Sequence, residues 1–147
     1  MSKNEVFAEN KTAEGRKIAA PRGTLETIER SPVLLLKMSV HAHKEFAAPV
    51  HRVLDAWIAS GAKDIELFFD AAELASYDSE LRSLWTDWVL RNRANIKAIH
   101  LFTRSSIVAM GINLARALVG KIMISYAERR EFDRAFADAK RAASGGA

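Results

Sequence analysis

The feature that most constrains this chain is a change of hydrophobic period that recurs along it. Short runs with apolar residues at every second position, or nearly without interruption, alternate with longer segments whose apolar residues return every three or four positions. In Val33–Val40, Leu34, Leu36, Met38 and Val40 share one face, and Val33, Leu35, Lys37 and Ser39 the other, the pattern of a strand. Thr24–Glu29 is a weaker strand ahead of it. The turn pair Ser31-Pro32 between them predicts an antiparallel hairpin. A helix follows over about 48–60, with Val50, Val53, Leu54, Trp57 and Ile58 on one stripe. Pro49 suits its first turn, and Gly61 is placed to end it. Ile65–Phe69 is nearly continuous and reads as a buried strand ending at Asp70.

The alternation continues. A second helix is expected over Ser79–Arg91, with Leu81, Leu84, Trp85, Trp88 and Val89 as its stripe, Asp78 as N-cap and Glu80 in the first turn. Ile96–Thr103 is the next strand. A third helix begins near Ser105 or Ser106, ends before Gly120 and is apolar on most sides. Gly111 inside it costs about 1 kcal/mol against alanine, which points to close packing there. Ile122–Tyr126 is the last strand, and a surface helix over about 128–142 carries Phe132, Ala135, Phe136 and Ala139 on a narrow stripe.

The order β-β-α-β-α-β-α-β-α predicts an α/β fold: a mixed, mainly parallel five-stranded sheet with an N-terminal hairpin and about four helices. Residues 1–22 read as a polar leader of low order, with a short extended piece at Val6–Phe7. Residues 23–142 form the domain, and 143–147 a disordered small-residue tail. At 147 residues, one domain accounts for the chain.

Composition narrows the chemistry. The absence of cysteine excludes disulfides, thiolate catalysis and cysteine metal sites. The N-terminus lacks the apolar core of a signal peptide, and the most apolar stretch, Ser106–Val119, is interrupted by Asn113 and Arg116. Neither predicts a transmembrane segment, and the cytoplasm is the default compartment. The net charge is +4 and the pI about 9.6. The basic residues are nevertheless spread among acidic ones, as in Glu128-Arg-Arg-Glu-Phe-Asp-Arg134, which disfavours nucleic acid as a partner.

Motifs for phosphate binding and for a nucleophile elbow are missing, and no cofactor is implied. His41-Ala-His43 presents two imidazoles, but with only Glu45 nearby it reads as an exposed loop pair and not as a metal site. His51 reads as surface and His100 as a hydrogen-bonded core residue. Trp57, Trp85 and Trp88 sit on helical stripes and read as core. Topology supplies the strongest candidate site, because partners of open α/β sheets gather beyond the carboxyl ends of parallel strands. That rule selects Asp70, Ser76, Asp78 and Ser79, then Arg104 and Ser105, then Tyr126. A hydroxyl at a helix start, as at Ser79, also tolerates an added phosphate.

The element order, together with Asp70-Ala-Ala-Glu-Leu-Ala-Ser-Tyr-Asp78-Ser79, resembles the STAS domain of anti-sigma-factor antagonists and sulphate transporters. That family closes its third strand with an acidic or amide residue and, eight positions later, opens a helix with Asp-Ser-Ser-Gly. Asp70 and Asp78 have that spacing, and Ser79 falls on the serine that partner kinases phosphorylate. Glu80-Leu81 stands where the family has Ser-Gly. Leu84-Trp85-Thr86-Asp87-Trp88 and Arg104-Ser-Ser-Ile-Val-Ala-Met-Gly111 are closer in style to the divergent STAS/SEC14-like branch. The resemblance covers about residues 24–141. It implies a bacterial regulatory or protein-interaction module, not a catalyst, with a protein partner such as a kinase-type regulator. The alternative is a carrier of a small apolar, lipid-like ligand beneath the third helix. An enzyme using Asp70, Asp78 and Arg104 ranks below both, since no nucleophile–base–orienter set is legible. Self-association through the third helix or the hairpin edge is compatible with the pattern.

Overall fold

The computed structural model describes residues 7–145. Its chain order is β1 (Ala8–Lys11), β2 (Arg16–Ala20), β3 (Gly23–Arg30), β4 (Val33–Ala42), α1 (Ala47–Ala59), β5 (Ile65–Tyr77), α2 (Ser79–Arg91), β6 (Ile96–Thr103), α3 (Ser106–Val119), β7 (Met123–Ser125) and α4 (Arg129–Ser144). The strands form one sheet in sequence order, β1-β2-β3-β4-β5-β6-β7. Neighbours from β1 to β4 are antiparallel, and those from β4 to β7 are parallel. The α/β class, the hairpin and the four helices agree with the sequence reading.

Seven strands are present where five were expected. Residues 8–20 are not a low-order leader but a two-stranded ribbon on the sheet. One large apolar side chain, Ile18, anchors it by pairing with Leu25. The rest is ionic: the Arg16 guanidinium donates to Glu29 Oε2 and to Glu9 Oε2, both at 2.7 Å. Burial raises the Glu29 carboxyl, but the Arg16 and Thr27 hydrogen bonds outweigh it and hold it below the usual range. Of the piece expected at Val6–Phe7, Val6 lies outside the described residues, and Phe7 precedes β1. At the other end α4 extends through Ser144, into the expected tail; Gly146 and Ala147 lie outside the described residues.

Strands added side by side in one direction, through crossovers of one hand, place their connecting helices on one face. Here α1, α2 and α3 cover that face. The core beneath them is built on Leu34, Leu36, Leu67, Ile99 and Leu101 from the sheet, with Val50, Leu54, Leu81, Trp88 and Val108 from the helices. The last helix, α4, lies on the opposite face, closing a smaller cluster of Val33, Phe68, Phe102, Phe132 and Ala139. The residues of β5 therefore divide: Leu67, Phe69 and Ala71 face the three helices, whereas Phe68 packs under α4. Gly61 ends α1 with φ +94°, as its position predicted. Among the described residues no helix is long and apolar enough to cross a membrane.

Candidate functional site

Strand β5 does not stop at Phe69. It continues to Tyr77, past the end of β6, pairing with β4 through two register irregularities, between Lys37 and Ser39 and between Val40 and His41. The expected loop 71–78 is thus mostly strand. This geometry separates the seven residues selected from the sequence into two groups.

Asp70 belongs to the α4 side. It is 3% exposed and is gripped by Arg129, whose Nη1 and Nη2 donate to Oδ1 and Oδ2 at 2.9 and 2.5 Å. The hydrogen bond to Asp70 raises the Arg129 guanidinium further above its ordinary value. Arg104 lies near this pair: its guanidinium sits 5.3 Å from the centre of the Phe102 ring, and that of Arg129 sits 5.6 Å from the same ring. Tyr126 is on this side too. Its hydroxyl donates to His100 Nδ1 at 2.8 Å, while His100 Nε2–H donates to Glu66 Oε1 at 2.9 Å. Burial lowers the His100 imidazole, opposed by Glu66, and raises the Tyr126 phenol. The expected core role of His100 is what the structure shows. Ser105 caps α3, its hydroxyl accepting from the Val108 N–H at 3.2 Å.

Ser76, Asp78 and Ser79 form the second group. Asp78 precedes α2 but makes no side-chain cap. Its carboxylate is used elsewhere: Oδ2 accepts from the Lys44 N–H at 2.7 Å, and Oδ1 from His41 Nε2–H at 2.9 Å. Burial raises this carboxyl, yet the Lys44 and His41 hydrogen bonds prevail and lower it. Ser76 meets the other ring nitrogen, with Oγ 2.7 Å from His41 Nδ1. So His41 and His43 are not an exposed loop pair. His41 is 9% exposed, and His43 is half-buried, with its ring edge-on to those of His41, Phe46 and Phe7. Glu45, the neighbour noted in the sequence, is exposed, and the acidic residue in contact is Asp78. No short spacing could have revealed that pairing, which spans 37 residues. Ser79 opens α2 and is exposed.

A third feature was foreshadowed by the apolar third helix. Between α2, α3 and the sheet lies an apolar cleft of about 130 Å³. Its floor is Met38, Phe69 and Leu101, and its walls are Trp85 and Val89 from α2 with Ile112 and Ala115 from α3. The Arg82 Nη1 donates to the Tyr77 hydroxyl at 2.9 Å, and both residues line the cleft. Gly111 lies against Tyr77 so closely that a Cβ would collide with the phenol oxygen, the close packing its position in the helix predicted. Trp85 is therefore half-buried at a cavity wall, while Trp88 is core, with Nε1–H donating to Asp55 Oδ1 at 2.9 Å. His51 is no surface residue. It stacks on Trp88 and meets Trp85 edge-on, and burial lowers its imidazole to about 4.

The outer face of α3 is exposed and apolar. Ile107, Met110, Leu114 and Leu118 are each more than half exposed, spaced as one helical stripe.

No protein-family model matches the chain, and no curated protein sequence matches it. Solved structures do. An uncharacterised protein of the DUF3478 family with a SpoIIAA-like fold, from Shewanella loihica PV-4, superposes with a TM-score of 0.55 at 10% identity, covering 89% of this chain and 92% of that one. The anti-sigma factor antagonist SpoIIAA in its unphosphorylated form gives 0.54 at 17% identity, over 76% and 93%. An anti-sigma factor antagonist from Mycobacterium paratuberculosis gives 0.52 at 14% identity, over 82% and 99%. The chain has the SpoIIAA-like, STAS-type fold.

Proposed function

We propose that this STAS-type chain is a non-catalytic binding module that accepts a small apolar ligand in the cleft beneath α3. The cleft itself carries the reading. Protein interiors leave few voids larger than a water molecule, and one of about 130 Å³ is close to the size that holds a benzene-sized guest. The lining favours a ring or a short alkyl group. Tyr77 and Arg82 line the cleft with their apolar parts, their polar atoms being paired with each other. Trp85, in the wall, makes the test direct. Titration with octanoate, indole or toluene is expected to change its fluorescence saturably, and native mass spectrometry of freshly purified protein is expected to retain a small-molecule adduct. Absence of both would remove the ligand reading.

A second reading, a regulatory protein-interaction module, is favoured by the outer face of α3. Contiguous exposed apolar residues on a domain of this size mark interaction surfaces, and two of the structural neighbours are anti-sigma factor antagonists. The partner surface in this reading joins the Ile107–Leu118 stripe to Ser79 at the start of α2, where an added phosphate would meet free backbone N–H groups. Sedimentation velocity of wild type and Leu114→Glu separates the two occupants of that face. A concentration-dependent dimer lost in the variant assigns the stripe to a second copy. A monomer in both leaves it to a different protein.

A further inference from the structure

We infer that His41, His43 and Asp78 form a binding site for one divalent transition-metal ion of the zinc class. One donor atom from each of the three lies within 4.8 Å of the others. A tetrahedral ion at about 2.1 Å from each donor holds them roughly 3.4 Å apart, so the widest pair has to close by no more than about 1.4 Å. Such a shift lies within the reach of side-chain rotation.

Each ligand is prepared in a different way. His41 is oriented from behind by Ser76, whose Oγ lies 2.7 Å from Nδ1. When the ion takes the Nε2 lone pair, the ring proton given to Asp78 in the ion-free state moves to Nδ1 and is donated to Ser76 Oγ; a second partner of this kind is the usual support of a ligating imidazole. Asp78 is fixed through Oδ2 by the Lys44 N–H, which leaves Oδ1 turned to His41. The His43 Nε2 is buried and has no hydrogen-bond partner, although buried polar atoms are almost always paired. The backbone contributes as well. Val40, just before His41, has φ 67°, a left-handed conformation costly for a β-branched residue. Strain of that kind collects where side chains must be aimed. The charged neighbours of His43 are Asp78 and Glu45, which favour a cation, and Arg22, which opposes it.

The donor set decides the class of ion. Two imidazoles and one carboxylate suit zinc and its first-row neighbours, whereas magnesium and calcium prefer all-oxygen sites and copper(I) prefers sulfur. Three protein donors leave a fourth position open for water or for a donor from a bound partner. The ion would tie the β4–α1 connection to the start of α2.

Isothermal titration of tag-free protein with zinc chloride tests the inference, with long-range nitrogen–proton NMR of the imidazoles as a readout that needs no variant. The chain has four histidines, so His51 and His100 serve as internal controls. The expected result is one ion per chain at micromolar affinity or tighter. The His41 and His43 ring nitrogens should shift while those of His51 and His100 stay in place. His43→Ala should weaken binding more than tenfold with an unchanged circular dichroism spectrum. Unmoved His41 and His43 resonances at millimolar zinc would overturn the site, as would equal affinity in wild type and His43→Ala.

Discussion

Ala115→Leu puts the ligand cleft to its most direct test, because it exchanges the void for side chain. Empty apolar volume enclosed in a core costs about 24 cal/mol per Å³, which sets roughly 3 kcal/mol as the upper bound for about 130 Å³, and the opening of the cleft to solvent brings the stability left unrealised below that. Leucine adds three carbon groups at a position that lines the cleft, each worth about 0.8 kcal/mol when buried. Some of that gain is lost to rotamer restriction and imperfect fit. The expected net is a stabilisation of about 1–2 kcal/mol, or a rise in Tm of roughly 3–6 °C for a domain of this size. Urea unfolding followed by far-ultraviolet circular dichroism gives the first quantity. Titration of the Trp85 fluorescence with the probe ligands gives the second, and there the variant is expected to lose saturation. A stabilised variant that no longer binds shows a void maintained at the expense of stability. A variant that is destabilised and still binds with wild-type affinity refutes both the packing account and the placement of the ligand.

Arg129→Met strands the Asp70 carboxylate with only the Ala72 N–H at 3.2 Å. Asp70 is buried while Arg129 is about a third exposed, so the cost is expected near the lower end of the range for a broken buried pair, about 2–3 kcal/mol by urea unfolding. Asp70→Asn in the same background should recover most of it, and no recovery would show that the pair is not the cause. Val40→Gly relieves the φ of 67° at a position 57% exposed. It should stabilise by about 0.5–1 kcal/mol once the entropy of glycine is subtracted, and a destabilised variant would contradict the strain. The buried His51 takes up its proton at about 4, whereas in the unfolded chain it does so near 6.5. Its contribution is therefore complete above about pH 6.5 and is lost as pH falls through that window towards 4. The full shift corresponds to about 3 kcal/mol, and solvent screening at the half-buried ring reduces this to about half. His51→Phe should flatten the stability profile over that range, and an unchanged slope would assign the dependence elsewhere. Ser79→Asp adds a negative charge at the start of α2 and should stabilise by about 0.3–1 kcal/mol; a loss of more than about 0.5 kcal/mol would speak against phosphate being tolerated there.

How much of this was legible in the sequence depended on whether local pattern or distant pairing decided each element. The helix over Ser79–Arg91 and the strand over Ile96–Thr103 appear with the expected bounds, the helix because Leu81, Trp88 and Val89 bury one face, although Leu84 of the expected stripe is exposed, and the strand because its apolar run is buried on both faces. The ribbon of β1 and β2 was not legible. Its sequence, with Ile18 as the single large core residue, lacks alternation, and it is held by Arg16 reaching Glu9 and Glu29 across neighbouring strands. The extension of β5 was hidden for a similar reason. Asp70 reads as the end of a strand and Glu73 falls in the expected loop, but Asp70 is neutralised by Arg129, 59 residues away, and Glu73 faces solvent beside Lys37. Asp78 was recognised as important from its place before a helix, and its use as the partner of His41 came only from the pairing of β4 with β5.

The same extension of β5 explains why the candidate residues do not form a single rim. Asp70, Arg104 and Tyr126 are engaged on the α4 side of the sheet, whereas Ser76 and Asp78 are engaged by His41 beyond the end of β6. Between Ser76 and Asp78 stands Tyr77, which lines the apolar cleft and packs against Gly111 of α3. Three consecutive residues thus connect the histidine cluster, the cleft and the helix with the exposed apolar face. An occupant that presses on Tyr77 acts on a segment whose neighbours on both sides are bonded to one imidazole. Ligand in the cleft and an ion at the histidines are therefore expected to influence each other's affinity, and by the reciprocity of linked equilibria the factor is the same in both directions. Titrating octanoate with and without saturating zinc measures that factor; equal octanoate affinities in the two titrations would show that Tyr77 moves independently of its neighbours.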